Sequence, residues 1–176
     1  TKQRLSKIFV YLCRLISGHM EQMENTRLRV AVKTLSKGTY DYAFRLNRDF
    51  FSSFENADIL DAALDTEIKI CKTDEQESII TVKITGTLVV LCDRCLDKLT
   101  VPVSFESTLE EEEILECLND FTGQMDFTQY VYDNICLAIP IKRVHESEKD
   151  CDQEMLRIWK QASVQEKNRI TNLLPD

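Results

Sequence analysis

Glycine and proline are scarce, at four and three residues in a chain of 176. That excludes collagen-like and low-complexity architectures. Histidine is scarcer still: His19 and His145 are the whole supply, so general acid–base catalysis has little to draw on. No run of about 20 apolar residues exists to cross a bilayer, and no membrane partner is expected. The phosphate-cradling G-x-x-x-x-G-K-[ST], the dinucleotide G-x-G-x-x-G and the nucleophile-elbow G-x-S-x-G are all missing. No two carboxylates are spaced to mark a paired acid and base. A non-enzymatic protein is expected.

What is present suits a folded domain. Hydrophobic residues make up 43% and charged residues 30%, enough for a buried core with a solvated surface. Against 22 Lys and Arg stand 30 Asp and Glu, a net charge of −8, which argues against coating nucleic acid by bulk charge. The excess is local, however. Segment 106–126 carries eight acids and no Lys or Arg, and without them 22 acids balance 22 bases. Such a segment is either a solvated loop or helix face, or an adaptor surface for a basic partner protein.

Residues 1–22 read as a basic leader outside the domain, with Leu5, Ile8, Phe9, Leu12 and Ile16 at helical spacing. Arg14 interrupts its apolar stretch, so it does not match a secretory signal. The domain is expected over 23–164, followed by a polar tail, 165–176. Alternation of apolar and polar residues predicts strands around 28–33, 40–46, 64–70, 79–91 and 98–109. Gly86 inside the longest of these suggests a bulge or a bend. Phe127, Tyr130, Val131, Ile135 and Ala138 predict a helix over about 127–139, stopped by Pro140. Asp150 or Asp152 would cap a further helix carrying Met155, Leu156, Ile158 and Trp159. The fold class is α+β: an antiparallel sheet able to curl into a barrel-like shape, with two to three helices, mostly C-terminal.

Seven cysteines are an odd number, and only Cys92-Asp-Arg-Cys95 forms a close pair. Scattered cysteines of this kind suit a reducing, cytoplasmic setting. Strands on both sides place the pair at a hairpin tip, without the helix N-terminus that activates a redox C-x-x-C. A hairpin tip is instead where two thiolates converge on one tetrahedral ion. With His145 and Cys151, Cys92 and Cys95 would complete a Cys3His site for one structural zinc. All four ligands would then be protein, which leaves no position for a catalytic water. Arg94, Lys98, Lys142 and Arg143 would gather around such a site as phosphate contacts for RNA. The plain alternative is a mixed-charge surface, since Asp93, Asp97, Glu146, Glu148 and Asp150 are interleaved.

The string Gly86-Thr-Leu-Val-Val-Leu-Cys92-Asp-Arg-Cys95-Leu96 resembles the central signature of the YceD family. Lys37-Gly38-Thr-Tyr40 is similar to that family's N-terminal block, and Ile135-Cys-Leu-Ala-Ile-Pro140 through Val144-His145 and Cys151 to its later one. Together the likeness spans roughly residues 27–174. It implies a bacterial or plastid factor for accumulation of large-subunit (23S) ribosomal RNA, with no known catalysis. Its partners would be pre-ribosomal RNA or a large-subunit precursor particle, and a basic ribosomal protein under the adaptor reading. Many relatives carry further C-x-x-C pairs in a longer tail. Here only Cys151 remains.

Overall fold

The computed structural model describes residues 27–73, 78–119 and 121–171, with 166–171 described by backbone only. The expected leader lies outside these residues, as does the end of the tail. Strands β1 (Arg29–Ala31) and β2 (Gly38–Leu46) are followed by a short helix, α1 (Arg48–Ser52). Three long strands come next: β3 (Asp61–Lys72), β4 (Ser78–Leu91) and β5 (Lys98–Thr108). Helix α2 (Glu111–Cys117), short strands β6 (Leu118–Asn119) and β7 (Gln124–Asp126), and helix α3 (Thr128–Ala138) complete the domain centre. A 3-10 turn (Glu148–Asp150) leads into α4 (Gln153–Thr171).

The class is α+β, as the periodicity implied. Strands β2-β3-β4-β5 form an antiparallel meander, and β1-β7-β6 a second, smaller sheet. In β3 each second side chain from Ala62 to Ile70 is buried while Asp61, Asp65 and Glu67 face water. Ile80, Val82, Ile84 and Leu88 of β4 lie on the same face. Each fully buried side chain of this size contributes about 1.5–3 kcal/mol, so one face of the meander supplies the largest single share of the core.

That face is covered by other elements rather than by closure of the sheet. Phe50 and Phe51 of α1, Val131 and Ile135 of α3, and Met125 of β7 pack on it. Both sheets therefore stay open, and the barrel-like shape does not form. Four helices lie among the described residues, two of them short and stabilised locally. The Asn47 side chain accepts the Asp49 N–H at 3.0 Å to start α1. Glu110 and Glu113 form a reciprocal capping box at α2, and Glu111, Glu112 and Glu113 sit in its first turn, where the helix dipole favours negative charge. Among the described residues, no helix is long and apolar enough to cross a membrane.

Gly86 makes no bulge. The ladder is unbroken around it, with Leu64 opposite on β3 and Val103 on β5. Its φ is +145°, and a Cβ there would lie 2.2 Å from the Ala63 carbonyl oxygen and 2.9 Å from Leu64 Cα. Glycine is required because the neighbouring backbone comes too close for any side chain. Gly86→Ala should therefore destabilise the domain by about 1–3 kcal/mol, read as a lower urea midpoint. Thr87→Ala, at an exposed neighbour, should stay close to wild type. Equal midpoints for the two variants would contradict the close-approach explanation.

Candidate metal centre and basic surface

Cys92 directly follows β4 and Lys98 begins β5, so the cysteine pair occupies the hairpin tip, as expected. Two backbone bonds close it: Cys92 N–H donates to the Asp97 carbonyl at 2.8 Å, and Leu96 N–H to the Cys92 carbonyl at 2.9 Å. Leu96 adopts φ +59°, a left-handed conformation that costs a non-glycine residue about 1–2 kcal/mol. It turns the chain back into β5, with both thiols buried.

The other two candidate ligands arrive from α3. Pro140 cannot continue a helix, and the chain leaves Ile139 in an extended conformation. It then passes the hairpin tip at Arg143 and reaches His145. The Ser147 side chain caps the 3-10 turn by accepting the Lys149 N–H at 3.2 Å, and the turn delivers Cys151. Asp152 follows, its carboxylate accepting the Met155 N–H at 2.8 Å at the start of α4.

Cys92, Cys95, His145 and Cys151 converge, with their ligand atoms all within 4.8 Å of one another. His145 Nδ1 lies 3.6 Å from Cys95 Sγ and 3.6 Å from Cys151 Sγ. A tetrahedral zinc with Zn–S of about 2.3 Å and Zn–N of about 2.0 Å has S···N edges of about 3.5 Å. The donor set and its spacing fit that ion. On the far side of the ring, His145 Nε2 sits 3.3 Å from the Lys98 carbonyl oxygen. A carbonyl only accepts, so Nε2 carries the proton and the Nδ1 lone pair faces the sulfurs. This is the carbonyl-to-imidazole support common behind metal-bound histidines.

The thiols are chemically unequal. Burial pushes Cys92 up, but the backbone N–H groups of Arg94, His145 and Cys95, with the Cys95 thiol, reverse this and lower it to about 6. Burial raises Cys151 to about 11, helped by the sulfurs of Cys95 and Cys92 beside it. One thiolate is thus pre-formed while negative charge on a neighbour resists the next. A dication in the middle would remove that conflict. Among the described residues all cysteines are free thiols, and Leu156, Leu99, Val144 and Met155 pack around the three at this site.

The basic residues divide. Lys98 and Lys142 are exposed, and Arg94 is half-buried. Arg94 lies close enough to help lower the Glu148 carboxyl, after the stronger effect of Lys160 at 2.8 Å. Arg143 is different: its guanidinium faces Asp93 at 3.3 Å and Asp58 at 3.6 Å, and its side chain is only 30% exposed. Sequence reasoning found the charge of Arg143 but not these partners, and no local pattern marks Asp58 as one. The acidic segment begins at Glu106, near the end of β5, and continues through α2, while the cysteines precede the start of that strand, which is about 30 Å long.

These features define an α+β protein whose C-terminal segment meets a cysteine hairpin through a Cys3His cluster. The profile of the family described as large ribosomal RNA subunit accumulation protein YceD matches residues 80–171. That is more than half of the chain, and the chain belongs to this family. The matched stretch includes most of β4, then β5, α3, α4 and all four cluster residues, while the Lys37-Gly38-Thr39-Tyr40 block falls outside it. No curated protein and no solved structure matches the chain.

Cobalt(II) titrated into the reduced chain should give the intense visible bands of a tetrahedral thiolate site, and Cys151→Ser should abolish or shift them. Zinc uptake at about pH 7.5 should release fewer than three protons, because Cys92 has already lost its own. A release of three or more, measured by a pH indicator, would show Cys92 protonated in the free chain.

Proposed function

We propose that this chain is a non-enzymatic ribosome-biogenesis factor that promotes accumulation or processing of large-subunit ribosomal RNA. It acts by binding the precursor RNA or an early large-subunit particle in the bacterial cytoplasm. Cys92, Cys95, His145 and Cys151 hold one structural zinc, which adds its binding free energy to folding and keeps the hairpin tip in shape. The free thiols suit a reducing compartment.

The observation that carries the RNA reading is the placement of Arg94, Lys98 and Lys142 around the cluster, with the acidic segment at the opposite end of β5. Local cations of this kind meet phosphates without needing a basic protein overall. Arg143, whose charge is met by Asp58 and Asp93, is left out of this set. Arg94→Glu with Lys142→Glu should weaken binding to large-subunit precursor RNA about tenfold or more and flatten its salt dependence by about two units of slope. Unchanged affinity and slope would remove these residues from the interface.

A protein-adaptor reading is favoured by one feature. On α2, Glu111, Glu112 and Glu116 are exposed beside Leu115, itself 62% exposed, a surface suited to a basic and partly apolar protein segment. Replacing the three acids by Gln should then release a basic ribosomal protein from affinity pull-downs while RNA binding persists. Retention of every protein partner would leave α2 as a solvated helix.

A further inference from the structure

Arg143 commits both of its backbone groups and both terminal guanidinium nitrogens to the hairpin tip and to one loop beside it. Its backbone carbonyl accepts the Asp93 N–H at 2.7 Å. Its own N–H donates to Asp93 Oδ2 at 2.8 Å. The guanidinium places Nη2 3.3 Å from Asp93 Oδ1 and Nη1 3.6 Å from Asp58 Oδ2. Asp58 in turn belongs to the loop in which the Asn56 side chain donates to the Tyr132 hydroxyl of α3 at 3.0 Å. Phe54 stacks on the same tyrosine, ring centroids 3.8 Å apart. The hairpin tip is thereby connected to the main core through Arg143.

The position of this bridge in the chain matters more than its strength. Asp93 directly follows Cys92, and Arg143 precedes His145 by two residues. Pairing Asp93 with Arg143 sets the register in which the His145 N–H meets the Cys92 sulfur. None of the bonds between Asp93, Arg143 and Asp58 uses a metal-ligating atom. They can form before any ion arrives. An exposed ion pair alone would do little, but here two backbone groups and a charged pair act together on the same two residues, with charge-assisted bonds at both ends.

We infer that Asp93 and Arg143 form a metal-independent latch that pre-sets His145 against the cysteine hairpin, making Arg143 a positioning residue of the metal site. This rests on the reading of the four-residue cluster as a zinc site. Without the latch, the ion itself would have to draw together Cys95 and His145, which are 50 residues apart. With it, much of that ordering is complete beforehand, and less binding free energy is spent on it. Cys151 lies outside the latch and closes the site last.

The test is zinc affinity by competition with a chromophoric chelator, on the full chain and on Arg143→Ala, Asp93→Asn and Lys142→Ala. Supporting groups behind metal ligands change affinity about 10- to 100-fold, and Arg143→Ala should fall in that range. Asp93→Asn should fall in the same range, because both variants keep the bond between the residue 143 N–H and the residue 93 side chain and lose the charged pair. Adding it to Arg143→Ala should cost little more, as expected of one unit. Lys142→Ala, next door and exposed, should bind zinc like wild type. Equal affinity in wild type and Arg143→Ala, or equal losses in Arg143→Ala and Lys142→Ala, would overturn the latch.

Amide exchange of the metal-free chain separates the latch from the metal reading. Protection at Asp93 and Arg143 in wild type, with that of the Arg143 N–H lost in Asp93→Ala, which removes its acceptor, supports the latch even if wild type binds no zinc. Free exchange of both amides in the metal-free wild type overturns it, whether or not zinc binds.

Discussion

Three buried thiols and an imidazole cannot share a space less than 5 Å across and all carry their metal-binding charge unless a cation joins them. The organisation of the C-terminal third depends on this constraint. The main core draws on both sheets, α1 and α3, while the cysteines form a separate small cluster with Leu156. Among the described side chains, Leu156 is the one fully buried residue that α4 contributes. The helix is therefore held to the domain at its first turn, through the cluster. Removing the cluster would leave the sheet intact and α4 without its attachment.

The same arrangement resolves the contradiction between an acidic chain and a role with RNA. A net charge of −8 would repel a polyanion if spread evenly, with screening setting in at about 8–10 Å. Instead the excess lies on α2 and its flanks, separated from the hairpin tip by the whole of β5. At about 30 Å along the strand, several screening lengths intervene. The two ends of β5 can thus face partners of opposite charge.

Much of the fold was legible because alternation leaves little freedom: a one-residue slip of β3 would bury Asp65 and Glu67 and expose Leu64 and Ile68. Sheet closure was not legible, since it depends on what covers the apolar face, and Phe50 and Phe51 do that here. Gly86 shows a similar limit. Its presence was informative, but only the packing reveals that the need is room for the Ala63 carbonyl and not a bulge. For the site, Cys92 and Cys95 could be read from local spacing, and His145 and Cys151 from the chain's return after Pro140. Arg143 could not. Its charge suggested phosphate, whereas Asp93, 50 residues away, and the more distant Asp58 answer it within the fold.

The central claim is that a metal-bound Cys3His cluster fastens α4 to the hairpin tip. Its most direct test is amide exchange across the whole chain, with zinc bound and after chelation. The account predicts that chelation releases protection at Cys151 and through the first turns of α4, while β3 and β4 keep theirs. Equal protection of α4 in both states, or a chain that takes up no metal and keeps α4 ordered, would contradict it.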